Sequence, residues 1–208
     1  MQNFIVYAIL LSFFIVVLTG PFVIPFLVKL KVGNTEREEL ESHQKKTGTP
    51  TMGGVMIIVA VAVTSLVFHK EAKAAYPVVF LTIGFGVIGF IDDFLKVVKK
   101  KSDGLLAGQK MALQIIVTGV FAYFMHTSGR LGLRIPFTGG YILDIGLFAY
   151  PLLFFAVIGT VNGVNFTDGV DGLASAVTLV VAIFFMLCSV ILGKGSGVTD
   201  AAVIGALL

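Results

Sequence analysis

Three short polar stretches stand out in a chain that is otherwise almost entirely apolar. In GFIDDFLK, residues 89–96, two adjacent carboxylates, Asp92 and Asp93, precede a lysine, Lys96, by four and three residues. On a helix that spacing puts the lysine beside both acids. Adjacent like charges repel, so a metal ion or a cationic group shared between them is expected. In NGVNFTDGVDGLA, residues 162–174, Asn165, Asp168 and Asp171 recur every three residues, and each aspartate is followed by glycine. Glycine lets the backbone approach a ligand closely. One aspartate would suffice to cap the helix that follows, so three converging polar side chains ask for another reason. In KKTGTPTMGG, residues 45–54, lysines, threonine hydroxyls and glycine N–H groups lie together. That combination suits an anionic phosphate group. The spacing is neither that of a P-loop nor that of an EF-hand.

The elements that must carry these stretches are membrane helices. Hydrophobic residues make up 57% of the chain and charged ones 13%, against about 25% charged in a soluble domain. Mean hydropathy is +0.99. A bilayer core of ~30 Å needs ~20 apolar residues in a helix. Spans are expected at Phe4–Val28, Met52–Phe68, Ala74–Ile91, Met111–Met125, Leu147–Val164 and Leu173–Leu192. Pro21 and Pro25 should bend the first. The fourth is short and should extend at one end. A seventh apolar segment begins near Ala201 and reaches Leu208, too short to cross, so the chain reads as incomplete at its C-terminus. The expected fold is an all-α polytopic membrane protein: one integral membrane domain over residues 1–208, with six transmembrane helices, a truncated seventh and a small outer β-hairpin. The hairpin is read from the alternation of Leu131–Phe137 and Tyr141–Ile145 around Thr138–Gly140.

Basic residues orient the bundle. Ten of the fifteen lysines and arginines fall in loops 29–51 and 92–110, and five on the other side. Those two loops are therefore expected in the cytoplasm, with the N-terminus outside. By parity residues 163–172 also face the cytoplasm. Nine of the twelve acids share that side, and the three polar stretches converge there. Ionisable groups at membrane depth are functional candidates. Carboxylates beside lysines and glycines suit Mg²⁺-assisted phosphoryl transfer, in which lysines hold a diphosphate and a carboxylate handles a proton or the metal. Nothing resembles a nucleic-acid-binding module, and the single cysteine excludes an internal disulfide.

KTGTPTMGG, IDDFLK and NGVNFTDGVDGLA, in this order, resemble the signature segments of the phospho-N-acetylmuramoyl-pentapeptide transferases, members of the polyprenyl-phosphate N-acetylhexosamine-1-phosphate transferase superfamily. The resemblance covers the whole chain. It implies transfer of phospho-N-acetylmuramoyl-pentapeptide from UDP-MurNAc-pentapeptide to undecaprenyl phosphate in the bacterial cytoplasmic membrane. The products would be lipid I and UMP, the cofactor Mg²⁺, and the enzyme a homodimer among membrane lipids. By resemblance, the catalytic residues are Asp92, the base that deprotonates the lipid phosphate, Asp93, its partner, and Asp168, beside the diphosphate and metal. Lys46 and Thr51 contact the nucleotide sugar, Asp171 the uridine, and Lys96 and Lys110 attract phosphate groups. Asn165 lies by the diphosphate and metal. Direct attack and an aspartyl intermediate are both compatible with it. The family's third catalytic aspartate and its histidine-rich motif have no counterpart here, where His43 is the only histidine on the cytoplasmic side. The chain alone is therefore expected to be inactive. A sister transferase using another UDP-aminosugar is the nearest alternative, and a cation- or proton-coupled transporter the more distant one.

Overall fold

The computed structural model describes residues 2–31, 52–72, 75–99, 104–135, 142–167, 172–192 and 197–208. They form an all-α polytopic membrane bundle. In chain order the elements are α1 (Gln2–Lys31), α2 (Gly54–Val67), the short α3 (His69–Ala72), α4 (Tyr76–Lys99), α5 (Ala107–Thr127), β1 (Leu133–Arg134), β2 (Ile142–Leu143), α6 (Ala149–Thr167), α7 (Leu173–Leu192) and α8 (Gly197–Leu207). Among the described residues, four segments are long and apolar enough to cross a membrane: Asn3–Leu30, Tyr76–Val97, Gly146–Thr167 and Leu173–Ile191. Their large apolar side chains point outward. Leu18, Phe22, Phe155 and Ile191 are all well exposed. In water such a surface would aggregate, whereas in lipid it is the solvated face.

Lipid gives helices no hydrophobic reason to associate, so close backbone contact must do the work. α8 shows how. Gly197, Ala201 and Gly205 recur every fourth residue along it, and nearly the whole helix is buried. It packs against α1, α2 and α7. Ala201 and Val198 meet Ile5 and Ala8 of α1, while Ala202 and Ala206 meet Ala60 and Val61 of α2. A Cβ on Gly205 would run into the Ile9 carbonyl and the Ser12 hydroxyl. The crossing of α1 and α8 therefore exists only because residue 205 has no side chain.

Helix boundaries depart from the sequence reading where polar residues decide them. Pro21 and Pro25 lie inside α1, which stays one helix of 30 residues. α4 runs eight residues beyond the expected Ile91, so Asp92 and Asp93 lie within the helix and not at its end. That distance relieves the clash between carboxylates and the negative helix terminus. α5 starts four residues before the expected Met111 and thereby takes up Lys110. Its start is fixed by the Gln109 side chain, whose Oε1 accepts the Leu106 N–H at 3.2 Å, half of a capping box.

At the end of the bundle away from Asp92, β1 and β2 pair antiparallel with Leu133 opposite Leu143 and Arg134 opposite Ile142. The connection expected at Thr138–Gly140 lies outside the described residues. The Tyr150 hydroxyl and His126 Nδ1 share a 2.7 Å hydrogen bond that joins α5 to α6 at this end.

Candidate active site

The two acids of IDDFLK are held differently by the same helix. Asp92 turns toward the neighbouring loop and helix, and only 12% of its side chain is exposed. Asp93 is more open. Lys96 Nζ lies 2.9 Å from Asp92 Oδ2 and donates to Asp93 Oδ1 at 3.0 Å. The shared cation expected between these carboxylates is thus the lysine one turn further along α4. Lys110, in the first turn of α5, brings a second ammonium to 3.6 Å from the same Asp92 Oδ2. A lysine at a helix N-terminus opposes the helix dipole, so the Asp92 carboxylate is what compensates its position.

The other Asp92 oxygen is held by backbone. Leu105 N–H donates to Oδ1 at 2.8 Å. This contact requires the segment before α5 to lie flat against α4. A Cβ on Gly104 would overlap Asp92 Oδ1 and come 2.5 Å from the Asp92 carbonyl oxygen. One carboxylate is thereby fixed from three directions: by its own helix, by a loop and by the next helix. In such a partly buried setting each charge-assisted hydrogen bond contributes about 1.5–3 kcal/mol.

Beside this cluster lies a cavity of about 490 Å³, within the range of small-molecule sites. α2, α4, α5, α6 and α7 all contribute to it. Its floor is apolar, with Ile57, Phe85 and Val161, and its polar wall holds Lys110, Gln114 and Asn165. Gly86 admits the side chain of Ile58 where α2 and α4 meet. At the entry to α2, Met52 has a positive φ of 67° and is buried. A non-glycine residue in that conformation costs of order 1–3 kcal/mol and is kept where surrounding structure dictates it.

Of the residues singled out by the sequence, Asp92, Asp93, Lys96 and Lys110 form one cluster, and Asn165 shares the cavity wall with Lys110. Lys46, Thr51, Asp168, Asp171 and His43 lie outside the described residues. Two features of the site escaped sequence reasoning. The Gly104–Leu105 backbone contact has no side-chain signature. The fully buried Gln114 does have one, since a polar amide in a span is conspicuous.

Among the described residues no three His, Cys, Asp or Glu side chains gather as a metal group. Asp92 has both oxygens committed to N–H donors. The oxygens suited to a hard cation such as Mg²⁺ are the second oxygen of Asp93 and the amide oxygen of Asn165. Neither makes a hydrogen bond among the described residues. Asn165 lines the cavity and Asp93 lies outside its lining.

Comparison with known proteins gives the cluster a context. Residues 75–208 match the family described as glycosyl transferase family 4, and residues 46–58 match phospho-N-acetylmuramoyl-pentapeptide-transferase signature 1. Curated proteins with the name phospho-N-acetylmuramoyl-pentapeptide-transferase are similar over most of the chain. The one from Clostridioides difficile (strain 630) is 43% identical over 207 residues, 97% of this chain and 64% of that protein. That from Clostridium perfringens (strain 13 / Type A) is 42% identical over 98% of this chain and 65% of its own length. That from Caldicellulosiruptor bescii is 44% identical over 88% of this chain and 57% of its own. The chain thus spans just under two thirds of the length of the relatives it matches most fully.

Proposed function

Because the chain belongs to glycosyl transferase family 4, and within it to the phospho-N-acetylmuramoyl-pentapeptide-transferases, we propose that it transfers phospho-N-acetylmuramoyl-pentapeptide from UDP-MurNAc-pentapeptide to undecaprenyl phosphate, yielding lipid I and UMP. The observation that carries this reading is the convergence of Lys96 and Lys110 on one oxygen of the recessed Asp92. Two cations and a carboxylate at the end of a membrane span suit a reaction in which every participant carries phosphate.

In this reading an oxygen of the lipid phosphate attacks the sugar-side phosphorus of the UDP-sugar. A phosphorus–oxygen bond forms, the bond to the bridging oxygen breaks, and UMP leaves with the electron pair. Asp92 accepts the proton of the lipid phosphate through Oδ2 while the Leu105 N–H keeps Oδ1 in place. Lys110 makes the longer of the two lysine contacts and turns to the incoming phosphate, which frees Oδ2 for that proton. Lys96 keeps Asp92 and Asp93 apart in angle and together in charge. Both Asp92 oxygens already accept hydrogen bonds, which favours proton handling over covalent attack by the carboxylate. Asn165, on the cavity wall, would hold Mg²⁺, which when bound would neutralise charge on the diphosphate.

Lys46 and Thr51 contact the nucleotide sugar, Asp168 the diphosphate and Asp171 the uridine, as the signature segments imply. The Asp92 face is cytoplasmic and the strand pair lies outside, in the bacterial inner membrane, because ten of fifteen basic residues flank that face. The described helices belong to six spans with α8 packed among them, and the working unit is a homodimer.

Membranes carrying the full-length protein should release UMP and form a pentapeptide-bearing lipid when given UDP-MurNAc-pentapeptide, undecaprenyl phosphate and Mg²⁺. UDP-N-acetylglucosamine in place of the first should give no UMP. The reverse preference would make the protein a sister transferase.

A further inference from the structure

Gln114 is the largest fully buried side chain among the described residues, with 1% of its surface exposed. It sits one helical turn after Lys110 on α5. Across the helix interface Asn162 sits three residues before Asn165 on α6. The two amides bond reciprocally: Asn162 Nδ2 donates to Gln114 Oε1 at 2.9 Å, and Gln114 Nε2 donates to Asn162 Oδ1 at 3.3 Å. Asn162 Nδ2 also donates to the Ile158 carbonyl at 2.9 Å. Thr118 Oγ1 donates to the Gln114 carbonyl at 2.7 Å. Such a pair fixes both helix rotation and helix offset, because two parallel hydrogen bonds tolerate neither a slide nor a twist. Apolar contacts alone would tolerate both.

Its position gives that rigidity a use. The only other side-chain link between α5 and α6 among the described residues, His126 to Tyr150, is at the far end of the bundle. The amide pair therefore governs how the Lys110 end of α5 meets the Asn165 end of α6. Both of those residues line the cavity, and so does Gln114. We propose that Gln114 and Asn162 are positioning residues for the transfer reaction: they lock α5 to α6 so that Lys110 reaches Asp92 while Asn165 faces the same cavity. This rests on the transferase reading above. The pair is not itself catalytic, since each amide spends its bonds on the other.

The test uses the full-length enzyme and four variants: Gln114→Leu, Asn162→Leu, the double Leu variant, and the exchange Gln114→Asn with Asn162→Gln. Each single Leu variant leaves one amide buried without its partner, which threatens folding. The double variant removes both polar groups and should remain folded. We expect it to retain its melting temperature within a few degrees and to lose about 10–100-fold in kcat, as displaced catalytic groups do. The exchange should recover at least about a third of that loss on a logarithmic scale. In a Lys110→Gln background the double Leu change should cost clearly less than in the wild-type background, since part of the effect passes through Lys110 and the rest through Asn165. Hydrogen exchange should rise in the first turns of α5, residues 107–114, and stay unchanged in residues 120–127. A folded double Leu variant with wild-type kcat would overturn the proposal, and so would an equal loss in both backgrounds. Unchanged exchange at residues 107–114 would overturn it independently of any activity. Absence of UMP release by the wild-type enzyme would instead count against the transferase reading, and the exchange measurement would still decide the positioning claim.

Discussion

Gly104→Ala should disable the enzyme without unfolding it. Glycines are commonly needed for left-handed backbone, but among the described residues only Gly129, Gly146 and Gly172 have positive φ. Alanine is therefore compatible with the backbone at residue 104, and its smaller unfolded-state entropy should favour folding by about 0.4–1 kcal/mol. The obstacle is space. A Cβ there would lie 2.5 Å from the Asp92 carbonyl oxygen, against a floor of about 3.0 Å for real contacts. That carbonyl belongs to helix α4 and cannot yield, so the loop must retreat by at least about 0.5 Å. The Leu105 N–H···Oδ1 bond of 2.8 Å would then stretch beyond the ~3.2 Å limit of a good hydrogen bond. Losing a hydrogen bond to a charged group costs about 1.5–3 kcal/mol, and each 1.36 kcal/mol is tenfold in rate. UMP release should therefore fall by about 10–150-fold in kcat, with a melting temperature lowered by a few degrees, because the lost hydrogen bond outweighs the entropic gain. Gly108→Ala, where a Cβ would meet nothing within 4 Å, should keep its activity. A Gly104→Ala enzyme with wild-type kcat would show that the loop does not hold Asp92.

Two further outcomes follow from the fold. Gly205→Val should drive α8 away from Ile9 and Ser12 of α1 and lower the melting temperature in detergent by several degrees or more, because overpacking a tight contact costs about 1–3 kcal/mol. Gly20→Ala, which meets only the end of Ile24 at 3.7 Å, should be tolerated. In a Cys188→Ala background, Thr167→Cys should react with an impermeant thiol reagent only from the cytoplasmic side and Ser128→Cys only from outside. Labelling of both from one side would rule out the orientation.

What the sequence revealed depended on whether a signal was local. Apolar runs mark α1 and α7 almost to the residue, since a bilayer imposes length and composition directly. The end of α4 was misjudged, and α5 extends beyond its apolar run, as the shortness of that run implies, because charged residues stop the apolar count but not the helix. Asp92 accepts Lys96 one turn on, and Lys110 joins α5 through the Gln109 cap and the Asp92 ion pair. The Asp92–Lys96 pairing was legible from its four-residue spacing. Lys110 opposite Asp92 was not, because it depends on how a loop of glycine and leucine folds back between two helices. The Gln114–Asn162 pair lies 48 positions apart in sequence, and no local pattern announces it. The charge cluster at IDDFLK was thus visible in the residues, while the contacts that orient it are tertiary.

In the proposed reaction Asp92, held by Leu105 and two lysines, handles the proton in a phospho-sugar transfer to lipid phosphate. The most direct test of this role is the initial rate of lipid I formation by full-length Asp92→Asn enzyme, beside Asp93→Asn and Asp144→Asn. Asparagine keeps the shape and the hydrogen bond from Leu105 but cannot take a proton, so the rate should fall by at least ~10²-fold. Asp93→Asn should fall comparably. Asp144 is exposed by the strand pair, where its Oδ1 accepts the Gly146 N–H, and its replacement should leave the rate within about twofold. An Asp92→Asn enzyme that makes lipid I at close to the wild-type rate, or equal losses at Asp92 and Asp144, would contradict the account.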